Sequence, residues 1–257
     1  MYKITPLRYF LEFSYKGTAY HGWQRQPNSS TVQQQMEDAL NTLLGKETAV
    51  VAAGRTDTGV HAKQMFAHVD LALNVKEVEQ LMHRLNKFLP YDITVNDIHP
   101  VKADAHARFD AMSRSYVYHL VQHKDPFSQE FSYTFTAKID LNVMNAAAKL
   151  LLSHTNFKCF SRSKTDVKTY DCKVTEAYWE QLDYECIFHI SANRFLRNMV
   201  RAIVGTLIDV GTGKLSLADF QAILKSEDRS KAGSSAPAHG LFLSQVQYPN
   251  TIFEING

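Results

Sequence analysis

Apolar residues alternate at Tyr9, Leu11, Phe13 and Tyr15, which predicts a strand over 7–15 with one buried face. The period then changes. Beyond a long polar loop over 16–31, Val32, Met36, Leu40, Leu43 and Leu44 recur at helical spacing, with Thr31 and Gln34 as a capping box and Gly45 as the stop. Val51, Ala52 and Ala53 read as a buried strand ending at Gly54, and a second strand starts near Ala62 and carries the apolar stretch Met65–Leu71. Val78, Leu81, Met82, Leu85 and Leu89 mark a second helix, capped by Asn74 with Glu77 and stopped by Pro90; a strand at about 93–98 follows.

The order is β-α-β-β-α-β. The second half repeats that pattern without repeating the sequence. A strand spans about 112–122, with Tyr116, Tyr118 and Leu120 on one face, and Asp140 opens a helix over about 140–153. Strands follow near 172–181 and 184–192, then an apolar helix at about 194–210 ended by Gly211, a short helix capped by Ser216 with Asp219, and a strand at about 241–248. The expected fold is α+β: two ferredoxin-like βαββαβ units joined through a broad antiparallel sheet, with helices on one face and a central active-site cleft at the seam. The expected domains are 1–105 and 106–257, the boundary falling in the polar stretch between 100 and 112.

Composition narrows the class rather than the chemistry. A chain of 257 residues can bury a sizeable core, and 28 basic against 26 acidic residues leave a net charge of +2. Totals so balanced do not announce a nucleic-acid binder, so any basic surface must come from local clustering. The three cysteines, Cys159, Cys172 and Cys186, have neither zinc-site nor disulfide-framework spacing, which points to reduced thiols in a cytoplasmic protein. No secretory leader or membrane-spanning stretch is visible, and the scattered histidines suggest no metal.

Four segments carry candidate chemistry. Residues 51–62, V-A-A-G-R-T-D-T-G-V-H-A, place Arg55 and Asp57 between two glycines at a strand end. The alternative is a polar turn in which Asp57 merely bonds the backbone. Residues 104–118 interleave His106, Arg108 and Arg114 with Tyr116 and Tyr118, a mixture suited to splayed RNA; the alternative is a strand whose tyrosines pack in the core. Residues 156–173 read as a polar insertion loop, with Lys158, Arg162, Lys164, Lys168 and Lys173 against Asp166 and Asp171. In residues 193–207, Arg194, Arg197 and Arg201 share one helical face at i, i+3 and i+7. Arg201 lies among Met199, Val200, Ala202, Ile203 and Val204, a context that predicts partial burial and a carboxylate partner. Asp57 is the conspicuous choice, and pairing would keep it ionised, unless Arg201 extends to solvent beside its two neighbours.

Together these segments resemble the TruA family of tRNA pseudouridine synthases over nearly the whole chain. Y-K-G-T-A-Y-H-G-W-Q-R-Q, G-R-T-D-T-G-V-H-A, R-S-Y-V-Y, N-R-F-L-R-N-M-V-R-A-I-V-G and A-P-A-H-G-L-F-L are similar to motifs of that family. Thr58 and Ala238 depart from it, standing where the family usually has a small residue and a proline. The resemblance implies isomerisation of uridine in tRNA, at positions 38, 39 and 40 of the anticodon stem-loop, by a homodimer with no cofactor or metal. It implies that Asp57 is the essential aspartate, that Tyr116 stacks on the target uracil, that Arg201 is the basic partner of the aspartate, and that Arg55 lies beside the flipped nucleotide. Arg108 joins them as a substrate-binding cation of the RNA-suited cluster. A single conspicuous carboxylate fits an isomerisation better than hydrolysis, which employs two. The main rival is a non-catalytic RNA-binding module; it lacks an RNP1-like string, and an aspartate at its motif centre would repel phosphate. A phosphate-handling enzyme ranks lower, because no G-x-x-x-x-G-K-[ST] is present.

Overall fold

The computed structural model describes residues 6–162 and 167–254. The chain divides into two compact units, one built from the residues up to Met112 together with those from Leu243 onward, the other from Ser113–Phe242.

The first unit runs β1 (Leu7–Tyr15), α1 (Val32–Leu44), β2 (Val51–Ala52), β3 (His61–Leu71), α2 (Val75–Phe88) and β4 (Ile93–Pro100). β1 lies between β4 and β3, antiparallel to both, and the short β2 pairs with β3. The alternation read in β1 is real: Tyr9, Leu11, Phe13 and Tyr15 are all buried, opposite Val69, Ala67, Met65 and Ala62 of β3. The helix stripes Val32, Met36 and Leu40, and Val78, Leu81 and Leu85, are buried as well. The caps form as their residues dictate. Thr31 accepts from the Gln34 N–H, Gly45 ends α1 with φ of 66°, and Asn74 and Glu77 complete a reciprocal capping box on α2.

The other face of this unit's sheet is covered around Phe10. Phe10 is fully buried, and its ring meets Phe66, Tyr248 and Phe253 at centroid distances of 6.4, 5.0 and 6.3 Å. Tyr248 and Phe253 follow β9 (Leu241–Gln247), so the end of the chain supplies the cover. The Val246 N–H on β9 donates to Gln64 Oε1 of β3 at 3.0 Å.

The second unit contains β5 (Ser113–Val121), β6 (Tyr133–Thr134), α3 (Leu141–Leu150), β7 (Val174–Leu182), β8 (Glu185–Ala192), α4 (Met199–Gly211) and α5 (Leu217–Ser226). β8 lies between β5 and β7, antiparallel to both, and β6 pairs parallel to the end of β5. Asn145 of α3 makes two bonds to the Trp179 backbone, at 2.7 and 3.0 Å, and so fixes the helix to β7. Gly211 lets α4 approach α3, since a Cβ there would collide with Met144.

Two expectations for this unit change. The helix expected over 194–210 begins only at Met199, because Asn198 takes a left-handed conformation (φ 65°). Arg194 and Arg197 therefore share no helical face with Arg201. The stretch 156–173 is not simply a polar loop: Phe157, Cys159 and Phe160 are buried, and the ring of Phe160 lies 6.1 Å from that of Phe220. Lys164 and Asp166 of that stretch lie outside the described residues. Among the described residues no helix is long and apolar enough to cross a membrane.

Candidate active site

β2 ends at Ala52, whose successor Ala53 still donates its N–H to the Phe66 carbonyl at 2.8 Å; β3 starts at His61. Between them the backbone turns sharply. The Val60 N–H donates to the Asp57 carbonyl at 3.1 Å, closing a four-residue turn with Thr58 and Gly59 at its corners. Gly59 has φ of 78°, which the third position of a type II turn requires and a side-chain-bearing residue resists. Thr58 occupies the permissive second position, the first corner, and is exposed, so its departure from the family pattern meets no backbone restriction.

The loop over 16–31 clamps this turn. The N–H of Trp23 donates to the Thr56 carbonyl and that of Gly59 to the Tyr20 carbonyl, both at 3.3 Å, and Gly17 N–H donates to His61 Nδ1 at 3.0 Å. Two glycines allow the approach: a Cβ on Gly17 would collide with the Val60 carbonyl, and one on Gly22 with that of Thr56. The Tyr15 and Thr56 hydroxyls, both on buried residues, lie 2.8 Å apart. The clamp is anchored in turn. Tyr20 donates its hydroxyl to Asp92 at 2.6 Å, and burial, aided by that carboxylate, holds its pKa well above the ordinary value. Trp23 is buried with its ring 5.3 Å from Phe13. The aromatics of this loop are therefore scaffold.

Behind the clamp sits a carboxylate with no apolar excuse for burial. Glu37 is 8% exposed; it accepts from Arg25 at 3.1 Å, Gln33 at 2.9 Å and the Val50 N–H at 3.3 Å. Three donors compensate its desolvation. Neither Glu37 nor Tyr15 nor His61 stood out in the sequence, because each acts on partners that only folding brings near.

Asp57 emerges half-buried from this fixed loop, with Arg55 exposed two residues before it. Arg108 also belongs to the first unit, on the turn after β4; its guanidinium lies 5.7 Å from the Phe109 ring centroid. The second unit carries the remaining two. Tyr116 is half-buried on β5, opposite Ile190, with its ring edge-on to Phe195 at 5.1 Å. Tyr118, two residues along, is fully buried and donates to the Pro237 carbonyl at 2.9 Å; burial drives its hydroxyl pKa far up. Of the two tyrosines, then, Tyr118 is core and Tyr116 lies nearer the surface.

Arg201, in the first turn of α4, is half-buried and shares a reciprocal pair of bonds with Ala236: its Nε donates to the Ala236 carbonyl at 2.7 Å, and the Ala236 N–H donates back at 2.9 Å. The segment 232–237 is tied down along its length. Gly233 N–H donates to Thr206 Oγ1, Asn198 to Ser235 Oγ, and Arg229 to the carbonyls of Ala232 and Gly233. A side chain at Gly205 would collide with the Ser234 carbonyl.

Other reactive groups serve packing. Cys159, Cys172 and Cys186 are buried and unbridged, and burial pushes the first two thiols up to about 12 and about 11, far from the thiolate a nucleophile needs. Among the described residues no three His, Cys, Asp or Glu side chains are placed to hold a metal ion.

Comparison with known proteins finds similar chains. A family model described as tRNA pseudouridine synthase matches residues 13–110 and 147–249, spans that include the Asp57 loop and α4. A protein of Porphyromonas gingivalis named tRNA pseudouridine synthase A is 53% identical over 96% of this chain and 99% of its own length. Proteins of the same name from Bacteroides fragilis and Chlorobium luteolum are 50% and 38% identical over 96% and 93% of the chain, covering 98% and 95% of their own lengths.

Proposed function

The chain belongs to the tRNA pseudouridine synthase family, and from that premise we propose that it isomerises uridine to pseudouridine in the anticodon stem-loop of tRNA with Asp57 as the essential carboxylate. The reaction breaks the C1′–N1 bond, turns the uracil and rejoins it through C5, which gives up its proton. The observation that carries the assignment to Asp57 is the loop itself: one carboxylate, held by a glycine turn and a second loop clamped across it. Positioning of this kind suits a step in which the base must leave and return without meeting water.

The ionised Asp57 has three openings: attack on C1′, addition to C6 of uracil, or removal of the C2′ proton. Each requires the charged form. Arg201 is the residue we assign as the basic partner of the aspartate, and its Nε is anchored on the Ala236 carbonyl. The target lies in a stem, so the nucleotide is flipped out at a cost of a few kcal/mol. Tyr116, half-buried near the start of β5, is the assigned stacking partner of the extruded uracil, worth roughly 1–3 kcal/mol. Arg55 and Arg108, both exposed, are assigned to the flipped nucleotide's surroundings and to phosphate.

The finer features of the reading are uridines 38, 39 and 40 as targets, a homodimer as the working form, a first domain bearing the aspartate and a second bearing Tyr116 and Arg201. The β-α-β-β-α-β order of the first unit supports a ferredoxin-like description of it. Release of tritium from tRNA labelled at C5 of uridine tests the reaction, since C5 loses its hydrogen only on isomerisation. A protein that merely binds RNA releases none. Mapping of pseudouridine in the product tests the positions.

A further inference from the structure

After β4 the chain makes a turn that exposes Lys102, Asp104, Arg108, Phe109 and Met112 on a backbone fixed at many points. Val101 N–H donates to the Arg8 carbonyl at 3.0 Å, and Lys102 N–H to the Ile252 carbonyl at 3.1 Å. Arg8 donates to the Ala105 carbonyl at 3.1 Å, the Tyr248 hydroxyl donates to that of Ala107 at 2.5 Å, and Met112 N–H donates to that of Gln247 at 2.8 Å. The Ala107 N–H donates to Nδ1 of the buried His68 at 3.1 Å, and Asp110 turns its carboxylate inward to the His106 N–H at 2.6 Å. Ala105, Ala107 and Ala111 are buried, so the turn has an inner face made of methyl groups.

Its outer face carries Arg108 and Phe109. Phe109 is 73% exposed, an unusual position for a phenyl ring on a segment held this firmly. The ring is backed on one side by His106, with centroids 4.2 Å apart and planes at 37°, and His106 rests in turn on His68 at 4.5 Å. The Arg108 guanidinium lies 5.7 Å from the ring centroid. A braced, exposed aromatic with a cation over its ring suits an unstacked base and its phosphate: the ring meets the base, the cation the backbone. Because ring and backbone are already fixed, little ordering entropy is lost on binding. A lone ring falls far short of the roughly 1,000 Å² a stable protein–protein contact buries.

We infer that Phe109, with Arg108, forms a nucleotide platform on which an unpaired or splayed base of the tRNA stacks. The inference rests on the proposed action on tRNA and adds a contact to it. Binding of an unmodified tRNA transcript to the full chain is measured at several salt concentrations for the wild type, Phe109→Ala, Phe109→Trp and Arg108→Ala. Loss of a stacked ring weakens binding about tenfold in Phe109→Ala, within the usual range for one base, and leaves the salt dependence unchanged. Phe109→Trp restores binding. Arg108→Ala lowers the salt slope by about one. Binding by Phe109→Ala equal to wild type overturns the platform, as does a loss of binding that follows a change of oligomeric state seen by light scattering. Tritium release by the wild type is run in parallel. Its absence sinks the proposed activity, whereas release with undiminished binding by Phe109→Ala sinks only the platform.

Discussion

The hydroxyls of Tyr15 and Thr56 meet 2.8 Å apart one residue before Asp57, the carboxylate we propose as essential, so whatever loosens that contact loosens Asp57. Tyr15→Phe removes the partner of a buried hydroxyl. We expect it to lower thermal stability by about 1–3 kcal/mol and to reduce turnover more than tRNA affinity, measured by calorimetry and by single-turnover tritium release with parallel binding. Tyr116→Phe keeps the ring and retains binding, whereas Tyr116→Ala weakens engagement of the target base; equal turnover in both marks Tyr116 as mere packing. At this scale the sequence reveals groups whose chemistry is carried in a local motif, such as Asp57 between its glycines. It hides Tyr15 and Glu37. Tyr15 reads as one more apolar position of an alternating strand, and Glu37 as a polar residue on an exposed helix face. Their roles come from partners 41 and 13 residues away, Thr56 and Val50.

Elements were legible where local rules decide them and illegible where one residue's conformation overrides periodicity. Asn74 with Glu77 and Ser216 with Asp219 form the capping boxes that their spacing announces. The apolar run around Arg201 announces a helix too, but Asn198 at φ 65° delays its start to Met199 and removes Arg194 and Arg197 from it. The loop over 16–31 is legible in the sequence only as a long polar stretch; its action as a clamp depends on Gly17 and Gly22 lying against the Asp57 loop. Gly22 has φ of 87° and no room for a side chain, so Gly22→Ala meets backbone strain and a collision together. The expected cost is at least about 1–3 kcal/mol with a large fall in turnover, read by thermal melts and tritium release; an unimpaired variant shows that the clamp has no part in holding Asp57.

Across the whole molecule, the last residues complete the first unit. Phe10 is buried beneath Tyr248 and Phe253, and Ala107 is bonded by Tyr248, contacts separated by more than half the chain and invisible to any local pattern. One consequence is a pH dependence of stability. Burial, followed by the positive charges of His106 and Arg8, depresses the His68 pKa from 6.5 to about 4, against the opposing pull of Asp70 and Asp110. The fold prefers neutral His68, so its contribution is complete above pH 6.5 and is lost as pH falls toward 4, a total of about 3 kcal/mol. Asp70, held below its ordinary 3.8 by Arg8, acts in a lower window and contributes above that value. Unfolding by urea between pH 7 and pH 4 should show the loss, and His68→Gln should flatten it; an unchanged slope contradicts the assignment to His68. The proposed chemistry turns on Asp57. The most direct measurement is tritium release from uridine-labelled tRNA by purified Asp57→Ala, with tRNA binding measured on the same preparation. Binding preserved and release abolished is the predicted result, and release at the wild-type rate contradicts it.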